Sequence, residues 1–228
     1  MRTIKKILKA SPIYILYRKI MVLRSELYAL RVQKYMQKYG LRDIFSLQQN
    51  LQERGVLFFF DFGTLLGLYR DGTVIKGDMD VDIGVIVDSM SDVFFISQNL
   101  HDFKKIRKFS TETGIVAEES FLFNKYLRFD IHYYYKRDNK RYCYLFYRLP
   151  ERQYPSNIFD AVQIIVDDVG ITSYIIDGRM LNVPTDPERF LIQKYGQNWR
   201  IPDSGWVYWE GPNSIKVEEK GCIDLFVL

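Results

Sequence analysis

The segment DFGTLLGLYRDGTVIKGDMDVDIGVIV, residues 61–87, constrains this chain more than any other. It joins a small-residue turn to an apolar strand preceded and started by acids at alternate positions, Asp78, Asp80 and Asp82. Side chains alternate faces along a strand, so Asp80 and Asp82 are expected to point the same way. Neighbouring carboxylates repel unless a cation neutralises them, and burying them unpaired among Val81, Ile83, Val85 and Ile86 is costly. Hard carboxylate oxygens favour Mg²⁺ or Mn²⁺. The pattern therefore predicts a metal site of the kind that serves phosphoryl chemistry. An exposed edge strand with alternating acids is the structural alternative, and the apolar residues between the acids speak against it.

Upstream of the acids, Gly63-Thr64 forms a glycine turn at a helix start. Backbone N–H groups and the helix dipole favour a phosphate there, and the Thr64 hydroxyl adds one hydrogen-bonding group. Most such turns are structural; this one gains weight from the acids that follow it. Arg70, which ends the helix begun at the turn, and Lys76 on the connection are candidates to neutralise a diphosphate. A solvated loop lysine serves equally well for Lys76.

A third carboxylate is expected on a neighbouring strand, and Asp130 in LRFDIHY is the candidate, a charge inside an apolar and aromatic run. It can complete the metal site, take a hydroxyl proton as general base, or simply pair with Arg128 or Arg70. His132 shares a face with Asp130 in a regular strand. It can contact phosphate or metal, or be a satisfied structural histidine.

The chain of 228 residues is long enough for one substantial domain with a terminal appendage. Its net charge of +4 is unevenly placed. Residues 1–40 hold ten Lys/Arg and one acid, Glu26, a balance of +9, so the remaining 188 residues carry −5. A basic arm on an acidic body points to a local anionic partner rather than to nucleic acid. The arm reads as a short helix over residues 2–9, a break at Pro12, and a second helix from about Tyr14 to Gln37, ending before Gly40. Such a basic helix either lies on an acidic membrane face or packs its apolar stripe on the domain. No charge-free apolar run is long enough to span a bilayer, and no cleavable signal is expected. Cys143 and Cys222 lack CxxC spacing or a His/Cys cluster, which disfavours structural zinc. As free thiols they fit a reducing cytoplasm, although spacing alone leaves pairing open.

The body reads as alternating helices and strands. A helix over 42–54 carries Ile44, Leu47 and Leu51 and closes at Gly55. VLFFF, residues 56–60, suits a buried strand, and the acidic strand runs over about 80–87. Residues 89–102 read as helix. Strands over 126–135 and 141–148 flank a hairpin turn, and two short strands over 169–184 flank Asp177-Gly178. Asp186-Pro187-Glu188 starts a helix that carries Phe190, Leu191 and Tyr195 and stops at Gly196. The tail after Pro202, with Trp206 and Trp209, has no assignable pattern.

Taken together, FDFGTLLGLYRDGTVIKGDMDVDIGV resembles the signature of LicD-like and fukutin-type phosphotransferases. VPTDPERFLIQKYGQNWRIP is similar to the closing motif of that family. The resemblance spans about residues 42–202. It implies an α/β nucleotidyltransferase-like fold, a mixed β-sheet flanked by helices, behind a basic arm (1–40) and followed by a tail packed on the domain (203–228). It also implies a divalent cation, Mg²⁺ or Mn²⁺, held by Asp80, Asp82 and Asp130, with Gly63, Thr64, Arg70 and Asp78 around a CDP-linked donor. The implied reaction moves phosphocholine or a polyol phosphate onto a glycan or lipid-linked sugar at the cytoplasmic face of a membrane. Met79 stands where an acid is usual and Lys76-Gly77 where Pro-Trp is common, so the alternating pair is kept while the transferred group is left open. A nucleotidyltransferase moving NMP from an NTP, or a non-catalytic binding module, are the rival readings.

Overall fold

A computed structural model describes residues 12–226. The expected helix at 2–9 lies outside them. The first element, α1 (Pro12–Glu53), is one helix where two were expected. Gly40 does not end it, because its bare Cα packs against Val74, whose methyl would lie 3.2 Å from an added Cβ. Burial at that contact offsets the roughly 1 kcal/mol that a helical glycine costs. Pro12 opens the helix, as proline does without penalty in a first turn. Only the second half of α1 packs on the body, through Val32, Met36, Ile44, Leu47 and Leu51. No helix among the described residues is long and apolar enough to cross a membrane.

The strand expected at 56–60 shortens to β1 (Phe59–Phe60), with Phe58 buried before it. Asp61 then caps α2 (Phe62–Asp71), and the acidic strand β2 (Asp80–Val87) follows. Next come α3 (Met90–Asn99), β3 (Lys104–Thr111), β4 (Val116–Leu122), β5 (Arg128–Arg137) and β6 (Lys140–Tyr147). The chain continues through β7 (Ile158–Asp167), the hairpin β8 (Ile171–Ile176) and β9 (Arg179–Pro184), and α4 (Pro187–Tyr195). A 3₁₀ turn at Tyr208–Glu210 leads to β10 (Ser214–Leu225). The architecture is mixed α/β, as the sequence leads one to expect.

Eight strands join in the order β1-β2-β5-β4-β3-β10-β7-β6, and β6 also pairs with β5. The pairings β5-β4-β3-β10-β7-β6-β5 thus close a ring of six strands, all antiparallel. Closure of this kind leaves no free edge within the ring. β2 lies outside it, parallel to β5, with β1 antiparallel beyond. The main core lies where α1, α2 and α4 cover the β1-β2-β5 side, with Phe58, Phe59, Phe60, Phe129, Tyr133 and Tyr134 fully buried. There the glycine of the acidic motif has a packing reason. The Phe59 ring crosses β2 so closely that a Cβ on Gly84 would lie 2.4 Å from it.

Candidate active site

The parallel pairing of β2 with β5 brings the predicted acids together. Asp80 lies opposite Arg128, Asp82 opposite Asp130, and Gly84 opposite His132. Asp80, Asp82, Asp130 and His132 line one cavity of about 500 Å³ with Gly63 and Phe62. Arg107 and Glu118, which the sequence reading missed, line it as well, together with Arg128.

Much of the charge in this cavity is already paired. Arg128 bonds Asp80, and its Nε lies 3.0 Å from Asp130 Oδ1. Arg107 places Nη2 at 2.7 Å from both Asp130 Oδ2 and Glu118 Oε1, and its Nε donates to Ser120 Oγ at 2.7 Å. The salt bridge to Arg128, one of the alternatives open for Asp130, is therefore present. Yet the contact with Arg128 lacks hydrogen-bond geometry. Asp130 Oδ1 and Arg128 Nε are both buried without a hydrogen-bond partner. His132 Nε2 lies 3.2 Å from Asp82 Oδ1, and its Nδ1 is buried and unpartnered. As the side chains stand, no group of three or more His, Cys, Asp or Glu among the described residues is arranged to hold a metal ion.

Electrostatics ties Asp82 and His132 together. Burial pushes the Asp82 carboxyl up, the hydrogen bond from His132 opposes it, and the charges of Asp80 and Asp130 add to the rise. For His132, burial works against the imidazolium, but Asp82 and the charges of Glu118 and Asp61 outweigh it and hold the ring above its ordinary range.

The turn is built differently from a simple open phosphate cradle. Asp61 is fully buried; its Oδ1 accepts from Phe62 N at 2.6 Å and from Lys194, and its Oδ2 accepts from Tyr134 at 2.6 Å. Phe62 sits at φ 42°, the left-handed region that a bulky residue avoids at a cost of about 1–3 kcal/mol. Its ring is held by Lys194 Nζ, 3.3 Å from the centroid, and by His132, 4.6 Å between centroids. Thr64 is buried and its Oγ1 accepts from Asp82 N at 2.9 Å, so this hydroxyl braces α2 to β2. Asp78 lies over the turn, with Oδ2 3.3 Å from where a Cβ on Gly63 would be. Burial and Asp80 push its carboxyl to about 6, against the pull of Arg70.

Arg70 and Lys76 line an adjoining cavity of about 620 Å³ with Trp199 and Asp203, and both cavities share Leu66, Ile75, Tyr195 and Trp206. Arg70 is bidentate to Asp71 at 2.8 and 2.9 Å. The two predicted cations therefore stand next door to the acids rather than among them. Nothing local in KKIRKFST pointed to Arg107, because its apolar residues Ile106 and Phe109 stand three apart and give no strand alternation. Arg128 was visible only as a partner for Asp130.

A family model described as LicD/FKTN/FKRP, nucleotidyltransferase domain, matches residues 55–165. Ribitol-5-phosphate transferase FKTN of Macaca fascicularis is 23% identical over 186 residues, covering 74% of this chain and 34% of that protein. The Homo sapiens protein of the same name is 22% identical over the same coverage. The chain thus spans about a third of the length of the curated relatives it matches. A crystal structure of the lincosamide antibiotic adenylyltransferase LnuA bound to lincomycin aligns at TM-score 0.40 and 14% identity, over 66% of this chain and 83% of that one.

Proposed function

From the premise that this chain belongs to the LicD/FKTN/FKRP nucleotidyltransferase-domain family, we propose that it transfers a phospho-alcohol group from a CDP-linked donor to a sugar hydroxyl. The observation that carries this reading is the β2–β5 register, which sets Asp80, Asp82 and Asp130 along one wall of the cavity beside the Gly63 turn. Ribitol phosphate, named for the FKTN relatives, and phosphocholine are the transferred groups to test first. The acceptor is a glycan or a lipid-linked sugar.

The charge balance supports a divalent cation. Four carboxylates, Asp80, Asp82, Glu118 and Asp130, face two guanidiniums and one imidazole. A diphosphate adds further negative charge in a site of low dielectric. Asp80 and Asp82 on one face are hard oxygen donors of the type that Mg²⁺ and Mn²⁺ select. They fit such an ion by chemistry, and Arg128, which bonds Asp80, would give up that carboxylate to it. When bound, the ion would offset the charge that develops on the transferred phosphate.

The remaining work belongs to the chain. Arg128, once released, and Arg107 orient phosphate oxygens. Gly63 lines the cavity at the start of α2, beneath the Asp78 carboxyl. Asp130, whose Oδ1 makes no hydrogen bond, takes the proton of the attacking hydroxyl as that oxygen bonds the phosphorus distal to cytidine, and His132, 3.2 Å from Asp82, supplies a second proton-holding group. The bond from that phosphorus to the bridging diphosphate oxygen breaks, and CMP leaves. Arg70 and Lys76 in the adjoining cavity bind further anionic parts of donor or acceptor.

The test is a screen of CDP-ribitol, CDP-glycerol and CDP-choline for CMP release dependent on Mg²⁺ or Mn²⁺, with a lipid-linked glycan fraction as acceptor. Asp80→Ala and Asp82→Ala each lower turnover by at least about 100-fold with the fold unchanged by circular dichroism. Pyrophosphate release from CTP or ATP in place of CMP release from CDP-alcohols overturns the proposal in favour of nucleotidyl transfer. Biological output that survives both substitutions points instead to a binding module.

A further inference from the structure

α4 ends at Tyr195, and the chain beyond it supplies much of the lining of the cavity of about 620 Å³ beside the acids. Tyr195 and Trp206 line this cavity and the acid-lined one alike, so the two spaces meet at these rings. A short turn presents Trp206: Asp203 Oδ1 accepts from Gly205 N at 2.8 Å, and the Asp203 carbonyl accepts from Trp206 N at 3.5 Å. The indole rests on the Tyr195 ring, with centroids 4.5 Å apart and planes tilted by 40°. It makes no other ring or cation–π contact among the described residues and is only half-buried, so a flat ligand can lie against it. The Tyr195 hydroxyl makes no hydrogen bond among the described residues. Burial, and after it the charges of Asp61, Asp82 and Asp78, hold this phenol well above its ordinary range, so it remains a proton donor close to the acids.

Charge separates the two cavities. Arg70 and Lys76 line the second one against a single carboxylate, Asp203. Arg70 is engaged by Asp71, whereas Lys76 is exposed and forms no ion pair among the described residues. Phe109, Leu145, Phe146 and Tyr208 line only the acid-lined cavity, where Arg107 is already bonded to Glu118 and Asp130. A leaving nucleoside monophosphate matches the second cavity. It needs an aromatic face for its base, a cation for its phosphate, and neutral hydrogen-bonding groups for its base edge or ribose, which Asn198 and Ser204 provide. The attacking sugar ring is neutral and gains nothing from Lys76. In-line displacement also brings the attacking hydroxyl from the side opposite the leaving group, which leaves the acceptor to the apolar wall of the acid-lined cavity.

Resting on the transfer reading above, we propose that the cavity walled by Tyr195, Trp199 and Trp206 holds the nucleoside monophosphate half of the donor. Trp206 stacks on the base. Tyr195, at the junction of the two cavities, donates its hydroxyl to the phosphate next to the bond that breaks, and Lys76 adds its charge to the same group.

Titration calorimetry of CMP into the full 228-residue chain with Mg²⁺, paired with indole fluorescence, tests this. The parent binds CMP and its fluorescence is quenched. Trp206→Ala weakens binding by about 10-fold or more, the loss expected for one base–aromatic stack. Trp206→Phe keeps most of the affinity but loses the quench, because a ring remains while the reporting indole is gone. Trp209→Phe, outside both cavities, keeps both. Lys76→Ala weakens binding by about 3-fold, and its exposed place on the connection before β2 separates that loss from any unfolding. Equal CMP affinity in the parent, Trp206→Ala and Lys76→Ala overturns this placement and leaves the transfer reading standing. A Trp206→Ala chain that binds CMP normally but needs about 10-fold more lipid-linked glycan for half-maximal CMP release gives the cavity to the acceptor and overturns the placement as well. Absence of CMP binding by the parent overturns the placement together with the transfer reading on which it rests.

Discussion

Lys194 and Asp61 meet across 133 residues of sequence and are sealed from solvent at 1% and 0% side-chain exposure. Two charges survive such burial only when each satisfies the other and the remaining lone pairs are used. Here the phenol of Tyr134 and the Phe62 amide complete the shell of Asp61. The pair joins the closing helix α4 to the residue that caps α2, and so fixes the turn carrying Gly63. Removing one partner leaves an uncompensated charge. Lys194→Met is therefore expected to cost about 3–5 kcal/mol in urea unfolding. Adding Asp61→Asn should return at least half of that loss, because the orphaned carboxylate is gone. A double variant no more stable than Lys194→Met would show that the lysine acts by packing on Phe62 alone. Nothing local in the sequence announces this pair: Asp61 reads as a cap and Lys194 as one charge on an amphipathic helix.

At the scale of elements, legibility followed the range of the signal. β2, the β5–β6 and β8–β9 hairpins and α4 were readable because their cues sit within a few residues: alternating acids, turn residues, and an Asp-Pro-Glu start. β3 and β4 were not. Lys104, Lys105, Arg107 and Lys108 leave β3 only Ile106 and Phe109 as apolar residues, and Lys105 and Arg107 are tolerated because they pair with Glu119 and Glu118 on β4. Arg107, Phe109 and Glu118 of the cavity wall were lost with them. The docking of α4 on β7 gives a prediction at this scale. Asp167 accepts from Lys140 at 2.5 Å, from Gln193 at 2.5 Å and from Arg189. Lys140 first, then Gln193 and Arg189, hold its carboxyl down at about 2. A depressed carboxyl stabilises the fold above its unfolded value and loses that contribution as pH falls through the folded one. Asp167 is 30% exposed, so the effect is discounted to about 1 kcal/mol. Asp167→Asn should lose that amount at pH 7. The gap to the parent should close as pH falls from about 4 to about 2. A difference that is the same at both ends of this window would assign the loss to shape rather than charge.

For the whole molecule, the decisive element is the one whose sequence says least. β10 reads SIKVEEKGCIDL, too polar and too irregular for a strand assignment. It nevertheless fills the gap between β3 and β7, pairing through residues 221–225 on one side and 214–222 on the other. Its ladder bonds, not its side chains, close the ring. It bulges between Val217 and Lys220, and the bare Gly221 lets the Phe146 ring lie across it. Lys220 reaches Asp160 at 2.9 Å, and Glu219 takes the Tyr144 hydroxyl at 2.7 Å. Without β10 the facing edges of β3 and β7 are both unpaired, and exposed edges of that length recruit other chains. Truncation after Asn213 is expected to remove the soluble species seen by size exclusion and to raise dye binding by exposed apolar surface. The acids of β2 should be less affected, because β2 and β5 hold their register outside the gap. A truncated chain that stays soluble and keeps the parent's near-ultraviolet circular dichroism would mean that the remaining strands close the ring without β10. The cavity wall that carries the acids would then depend on the β1-β2-β5 side alone.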